Sequence, residues 1–157
     1  MGKTYDDIRL GAVTFANAAH TLDIICKAGV EYKENKIGEK LFSQHVIPQI
    51  TLMAFSCELA LKSLMSKNKK SFKSIHNLSK LYKLIANNDK FHISRRVIEK
   101  MKNYNSDYDN QCFLDNLEET ANTFVDWRYF YEKPVKVVYP FLKSLFDVLI
   151  DYVKLSV

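Results

Sequence analysis

From Tyr5 onward the chain places apolar side chains at alternating three- and four-residue steps: Tyr5, Ile8, Ala12, Phe15, Ala19, Leu22 and Cys26. That spacing keeps one face of an α-helix apolar, and it predicts a first helix from near Thr4 to Lys27, closed by Gly29. The stretch from Gly29 to Gly38 is polar and reads as a loop. A short helix is expected over Glu39 to His45. Pro48 then either opens a new helix at its first turn or kinks a continuous one. From there to about Ser66 the chain is apolar on almost every side, which predicts the central helix.

Downstream, Ser74 is a candidate cap for a helix whose inner stripe is Ile75, Leu78, Tyr82 and Ile85. A further helix from about Lys90 to Tyr104 buries Ile93, Val97, Ile98 and Met101, and Asn103 to Gln111 reads as a loop. One long helix is expected to reach Glu132, stopped by Lys133-Pro134, and a last helix to run from near Pro140 to Val153. This last one carries only a thin polar stripe of Lys143, Asp147, Asp151 and Lys154. Either the bundle surrounds it or a second subunit covers part of it.

Two charges interrupt this pattern. Glu58 falls within Ile47, Thr51, Ala54, Glu58, Leu61, Met65, and Arg128 falls within Leu114, Leu117, Ala121, Phe124, Arg128, Tyr131. An unpaired buried charge is costly, so opposite charges on two inward faces predict a Glu58–Arg128 ion pair or a polar cleft. Arg128 has a second reading, phosphate contact through its planar guanidinium.

The bulk numbers narrow the class. A chain of 157 residues with 47% apolar content fits a single domain over residues 1–157. Only 4 Gly and 3 Pro leave little turn chemistry for a many-stranded sheet, which favours an all-α fold. No apolar run is long enough to span a membrane, and Asp6 and Asp7 follow the N-terminus with no apolar leader, so neither membrane nor export is expected. Cys26, Cys57 and Cys112 have no C-x-x-C spacing and read as reduced, buried thiols of a cytoplasmic protein. His20, His45 and His92 lack metal-ligand spacing, and Asp107 and Asp109 form only a two-carboxylate loop. No metal and no cofactor is expected.

The net charge of +5 is unevenly spread. Leu59 to Asn88 contains Lys62, Lys67, Lys69, Lys70, Lys73, Lys80 and Lys83 and no acid, whereas Asn103 to Glu132 sets seven acids against Arg128. The two segments are either complementary surfaces, within the fold or across a homodimer, or the basic one meets phosphates. Lys62, Lys67, Lys69, Lys70 and Lys73 are the candidate phosphate contacts. In the aromatic run Trp127, Tyr129, Phe130, Tyr131 not every ring can face a core, which leaves Tyr129 as a candidate for stacking on a base.

With the helices placed, three pieces come together: Glu58-Leu59-Ala60-Leu61-Lys62, then His76-Asn77-Leu78-Ser79-Lys80-Leu81-Tyr82, then Trp127-Arg128-Tyr129. Their order resembles prokaryotic HEPN-domain proteins, over about Ile50 to Glu132. Asn77 stands where Asp is common. The resemblance implies an antiparallel bundle of about five to six helices, often dimeric, that binds or cuts RNA in toxin–antitoxin, abortive-infection or related defence systems. Nuclease members carry Arg, four to six residues, then His. None of the four arginines here, Arg9, Arg95, Arg96 and Arg128, has a histidine at that spacing. His76 is therefore the candidate general base and Arg128 the candidate phosphate-stabilising group, and whether the protein is an enzyme stays open. Two functions are expected: an RNA- or nucleotide-binding protein of this type, or a non-catalytic helical dimer that regulates a protein partner.

Overall fold

Thr4 opens the first helix by a reciprocal capping box: the Asp7 amide donates to Thr4 Oγ1 at 3.2 Å, and the Thr4 amide donates to Asp7 Oδ2 at 2.9 Å. The computed structural model describes residues 4–31, 36–68, 74–129, 131, 132 and 135–155, with the backbone alone for 36–43. Among them lie seven helical segments and no strand: α1 (Tyr5–Glu31), α2 (Lys36–Lys67), α3 (Leu78–Leu84), α4 (Asn87–Met101), α5 (Asn110–Glu119), α6 (Thr123–Arg128) and α7 (Tyr139–Leu155). The class is the all-α bundle that the periodicity predicts.

α1 and α2 form the longest interface and run antiparallel. Gly11 faces Leu59, Phe15 meets Phe55 at 4.7 Å between ring centroids, and Asp23 bonds Gln49, so one number falls as the other rises. Ala12, Ala16 and Ala19 on the buried side of α1 allow close approach. α1 passes through Gly29 to Glu31 instead of stopping. A terminating glycine needs a positive φ, and no described glycine has one.

Pro48 lies inside α2, so the short and central helices expected here are one rod. From Gln49 to Met65 that rod is buried on most sides, and α1, α3, α6 and α7 pack around it. α7 buries Phe141, Leu142, Leu145, Phe146, Val148, Leu149, Ile150 and Val153 against α1, α2 and α4. Its apolar girth is covered by its own chain, which removes the sequence argument for a second subunit at this helix.

The long helix expected up to Glu132 is broken into α5 and α6 at residues 120–122. At the break the Ala121 carbonyl accepts the Leu78 amide at 2.8 Å, and Asn122 Oδ1 accepts from Asn77 Nδ2 at 3.0 Å. The first amide of α3 thus takes a carbonyl from the α5–α6 junction. Asn77, not Ser74, caps α3, accepting the Lys80 amide at 2.8 Å.

Candidate functional site

Glu58, one of the two charges that break the apolar pattern, is 1% exposed on α2. Its Oε1 receives Lys62 Nζ at 2.6 Å, one helical turn on, and lies 3.0 Å from Nδ1 of His76 in the segment before α3. Lys62 is itself nearly buried, whereas half of the His76 side chain is exposed. With its proton on Nδ1, His76 donates to the carboxylate and leaves Nε2 as an acceptor. The second carboxylate oxygen, Oε2, is buried with no hydrogen-bond partner among the described residues. His76 precedes the Asn77 cap, so it stands outside the helix in whose first turn the sequence places it.

Arg128 is not the partner of Glu58. The break at 120–122 resets the register, and Phe124 takes the inward place, stacked on Phe55 at 4.6 Å between centroids. Arg128, one turn further along α6, is exposed. Its guanidinium carbon lies 5.2 Å from the Phe124 ring centre and 4.9 Å from that of Tyr129, and its Nη2 donates to the Tyr129 hydroxyl at 3.2 Å. Glu58 is instead neutralised from its own helix, by Lys62.

These two clusters border one surface. A groove of about 420 Å³ runs between α1 and α2, lined by Ile8, Gly11, Phe15, Phe55 and Leu59, with Asp7 and Lys62 toward the start of α1. Phe55 belongs both to the groove and to the ladder Phe15–Phe55–Phe124, which Arg128 and then Tyr129 extend. Lys67, expected at phosphate, is exposed with its Nζ 5.9 Å from the Tyr5 ring centre. Lys69, Lys70 and Lys73 lie outside the described residues. Asp109 caps α5 by accepting the Cys112 amide at 2.9 Å. No group of three or more His, Cys, Asp or Glu residues among the described ones could hold a metal ion, and none of the described helices is long and apolar enough to cross a membrane.

A second cavity, of about 400 Å³, was not anticipated from the sequence. Cys26, Val30, Val46 and Ile50 give it apolar walls, and Asp23, Lys27, Gln49 and Tyr139 form its polar side. Asp23 Oδ1 accepts from Gln49 Nε2 at 2.7 Å and from the Tyr139 hydroxyl at 3.3 Å, and Oδ2 pairs with Lys27 at 2.8 Å. Burial pushes the Asp23 carboxyl up, but hydrogen bonding and charge from Lys27, with help from Lys143 and Tyr139, more than offset it and hold the carboxyl below its ordinary range. The Tyr139 phenol is pushed up to about 12, by burial first and by the Asp23 charge second. The available signal was Asp23 itself, the one acid between Leu10 and Cys26. The groups in this network saturate one another. Burial likewise pushes the Cys57 and Cys26 thiols up, away from the reactive thiolate.

Comparison of the chain with protein-family models, with curated proteins and with solved structures finds no match.

Proposed function

We propose that this chain is a HEPN-like protein that binds RNA or nucleotides, of a bacterial defence or toxin–antitoxin type, and that it binds without efficient cleavage. The observation that carries this reading is the continuous run from the α1/α2 groove through Phe15, Phe55 and Phe124 to Arg128 and Tyr129. Phe15 and Tyr129 are exposed at its two ends. Single-stranded nucleic acid is held by rings that stack on bases and by cations that track the phosphates. Arg128 and Lys67 supply the cations around this run, the half-exposed His76 offers a ring nitrogen for hydrogen bonding, and a groove of this size accepts a nucleoside. His76 lies on Glu58 and Arg128 lies on Tyr129. The pair of roles that cleavage would need is therefore divided between two clusters, and no arginine has the spacing to histidine that nuclease relatives use.

Anisotropy of labelled single-stranded and structured RNA, measured across a salt series with and without magnesium, tests this. Arg128→Gln, Tyr129→Ala and Lys67→Gln should each weaken binding, and each lost phosphate contact should lower the salt slope by roughly one unit. Strong cleavage that survives His76→Ala and Arg128→Ala would show that the chemistry lies elsewhere. Absence of RNA binding would favour the second reading, a non-catalytic helical interaction protein that regulates a partner.

A further inference from the structure

In the second half of α1, beyond the groove, three helices converge on one carboxylate. Asp23 of α1 is buried, and its Oδ1 takes Gln49 Nε2 from α2 and the Tyr139 hydroxyl from α7. Gln49 is 1% exposed, and its Nε2 also donates to the Tyr139 hydroxyl at 3.0 Å, so these groups hold one another in place. Stability alone does not ask for this arrangement. An ionised carboxylate is costly to bury, and an aliphatic side chain fills such a place at lower cost. Asp23 nonetheless borders a cavity of about 400 Å³ with apolar walls of Cys26, Val46 and Ile50, and half-exposed Val30 marks its mouth. A helical core is ordinarily packed without spaces of this size.

The fourth member of the network is of a different kind. Lys27 reaches Asp23 Oδ2 at 2.8 Å from one turn along α1, but its side chain is largely exposed. A pair of this kind contributes little, and the lysine turns away into water at small cost. The field at its ammonium favours a cation: hydrogen bonding and charge from Asp23 first, then the charge of Asp147, outweigh burial and raise the Lys27 pKa. Lys143, the other base whose charge reaches Asp23, is tied to Asp147 at 2.6 Å. The cavity thus offers a fixed anion, apolar walls and a counter-ion that can be exchanged.

We propose that this cavity binds a small primary amine with an apolar body, of the arylalkylamine class. Its ammonium takes Asp23 Oδ2 in place of Lys27 Nζ, and its body lies against Cys26, Val46 and Ile50. Exchanging one ammonium for another never strands the buried carboxylate. The net gain then comes from the apolar body leaving water. A carboxylic acid of the same shape sets a second anion beside Asp23, and an alcohol does not replace the cation. Ligands of so few atoms reach dissociation constants on the order of 100 µM. The site is separate from RNA binding, since the groove takes α1 from Asp7 to Phe15 and this cavity takes it from Asp23 to Val30.

Titration of the full chain with phenethylamine at neutral pH, followed by amide NMR spectra, should shift the Gln49 side-chain amide and the Cys26 and Lys27 backbone amides saturably. Phenethyl alcohol and hydrocinnamate, which keep the ring and change the head group, should bind about tenfold more weakly or not at all. Asp23→Asn should weaken phenethylamine by about tenfold or more. Lys27→Met keeps the aliphatic stem and removes the competing cation, so it should tighten phenethylamine about two- to fivefold and leave phenethyl alcohol unchanged. Val46→Phe, at a partly exposed wall, should fill the cavity and abolish binding. Circular dichroism checks the fold of each variant, and if Asp23→Asn does not fold, Lys27→Met and Val46→Phe decide. No saturable shift with phenethylamine, hydrocinnamate bound as tightly as the amine, or an affinity indifferent to both Lys27→Met and Val46→Phe would each overturn the proposal.

Discussion

Replacing Lys62 by Met removes one charge from the interior while keeping most of the aliphatic stem. What remains is Glu58, 1% exposed, with Oε2 already unpartnered. At 2.6 Å the Lys62–Glu58 attraction is worth about 6 kcal/mol at an effective dielectric near 20. Desolvation of both ions consumes much of that, so the pair contributes little net stability. Breaking it is another matter, because a stranded buried carboxylate costs about 3–5 kcal/mol. Lys62→Met should therefore lower the urea midpoint by that amount divided by the m-value. The double variant Glu58→Met/Lys62→Met should recover most of the loss, because no charge is left to solvate. The His76 ring, half in water, meets solvent in place of Glu58. A double-mutant cycle followed by urea denaturation should give a coupling of about 3 kcal/mol. Additive losses, or a cost below about 1 kcal/mol for Lys62→Met alone, would refute the assignment of Lys62 as the counter-ion of Glu58.

Two further outcomes follow from local geometry. The Asp23 carboxyl is held below its ordinary range in the folded protein, so its ionised network stabilises the fold above the unfolded value and loses that contribution as pH falls through the folded one. The stability gap between the parent chain and Asp23→Asn, from urea midpoints, should be widest near neutrality and close below about pH 4. A gap that stays constant on acidification would deny the network its ionic character. Ser74, in turn, holds a φ of 67°, a conformation that costs a non-glycine residue about 1 kcal/mol. Ser74→Gly should raise the urea midpoint slightly, and a lowered midpoint would mean that the Ser74 side chain holds the turn.

Much of the bundle was legible because its signal is periodic. The steps of three and four along Tyr5–Cys26, the unbroken apolar stretch after Pro48 and the apolar rod of α7 each fix a helix through its buried face. Boundaries were less legible where tertiary hydrogen bonds set them. α5 and α6 read as one helix because Leu114, Leu117, Ala121, Phe124 and Arg128 keep helical spacing across the break. What divides them is the Ala121 carbonyl given to Leu78, some forty residues earlier, and no local pattern encodes that bond.

The same break explains why the site was half legible. The periodic argument correctly held that Glu58, buried on a helix face, needs a cation. It sought that cation on another helix, although Lys62 stands one turn away on α2. A lysine four residues after a glutamate ordinarily reads as a surface pair. Here α2 is enclosed by α1, α3, α6 and α7, so even its polar turn is drawn inside and the local pair becomes the buried one. Arg128, released from that duty, is free to lie over Phe124 and Tyr129. The family-like residues thus sort by position in the bundle: Glu58 and Lys62 hold the interior and orient His76, and the arginine is left at the surface, where an anionic ligand can reach it.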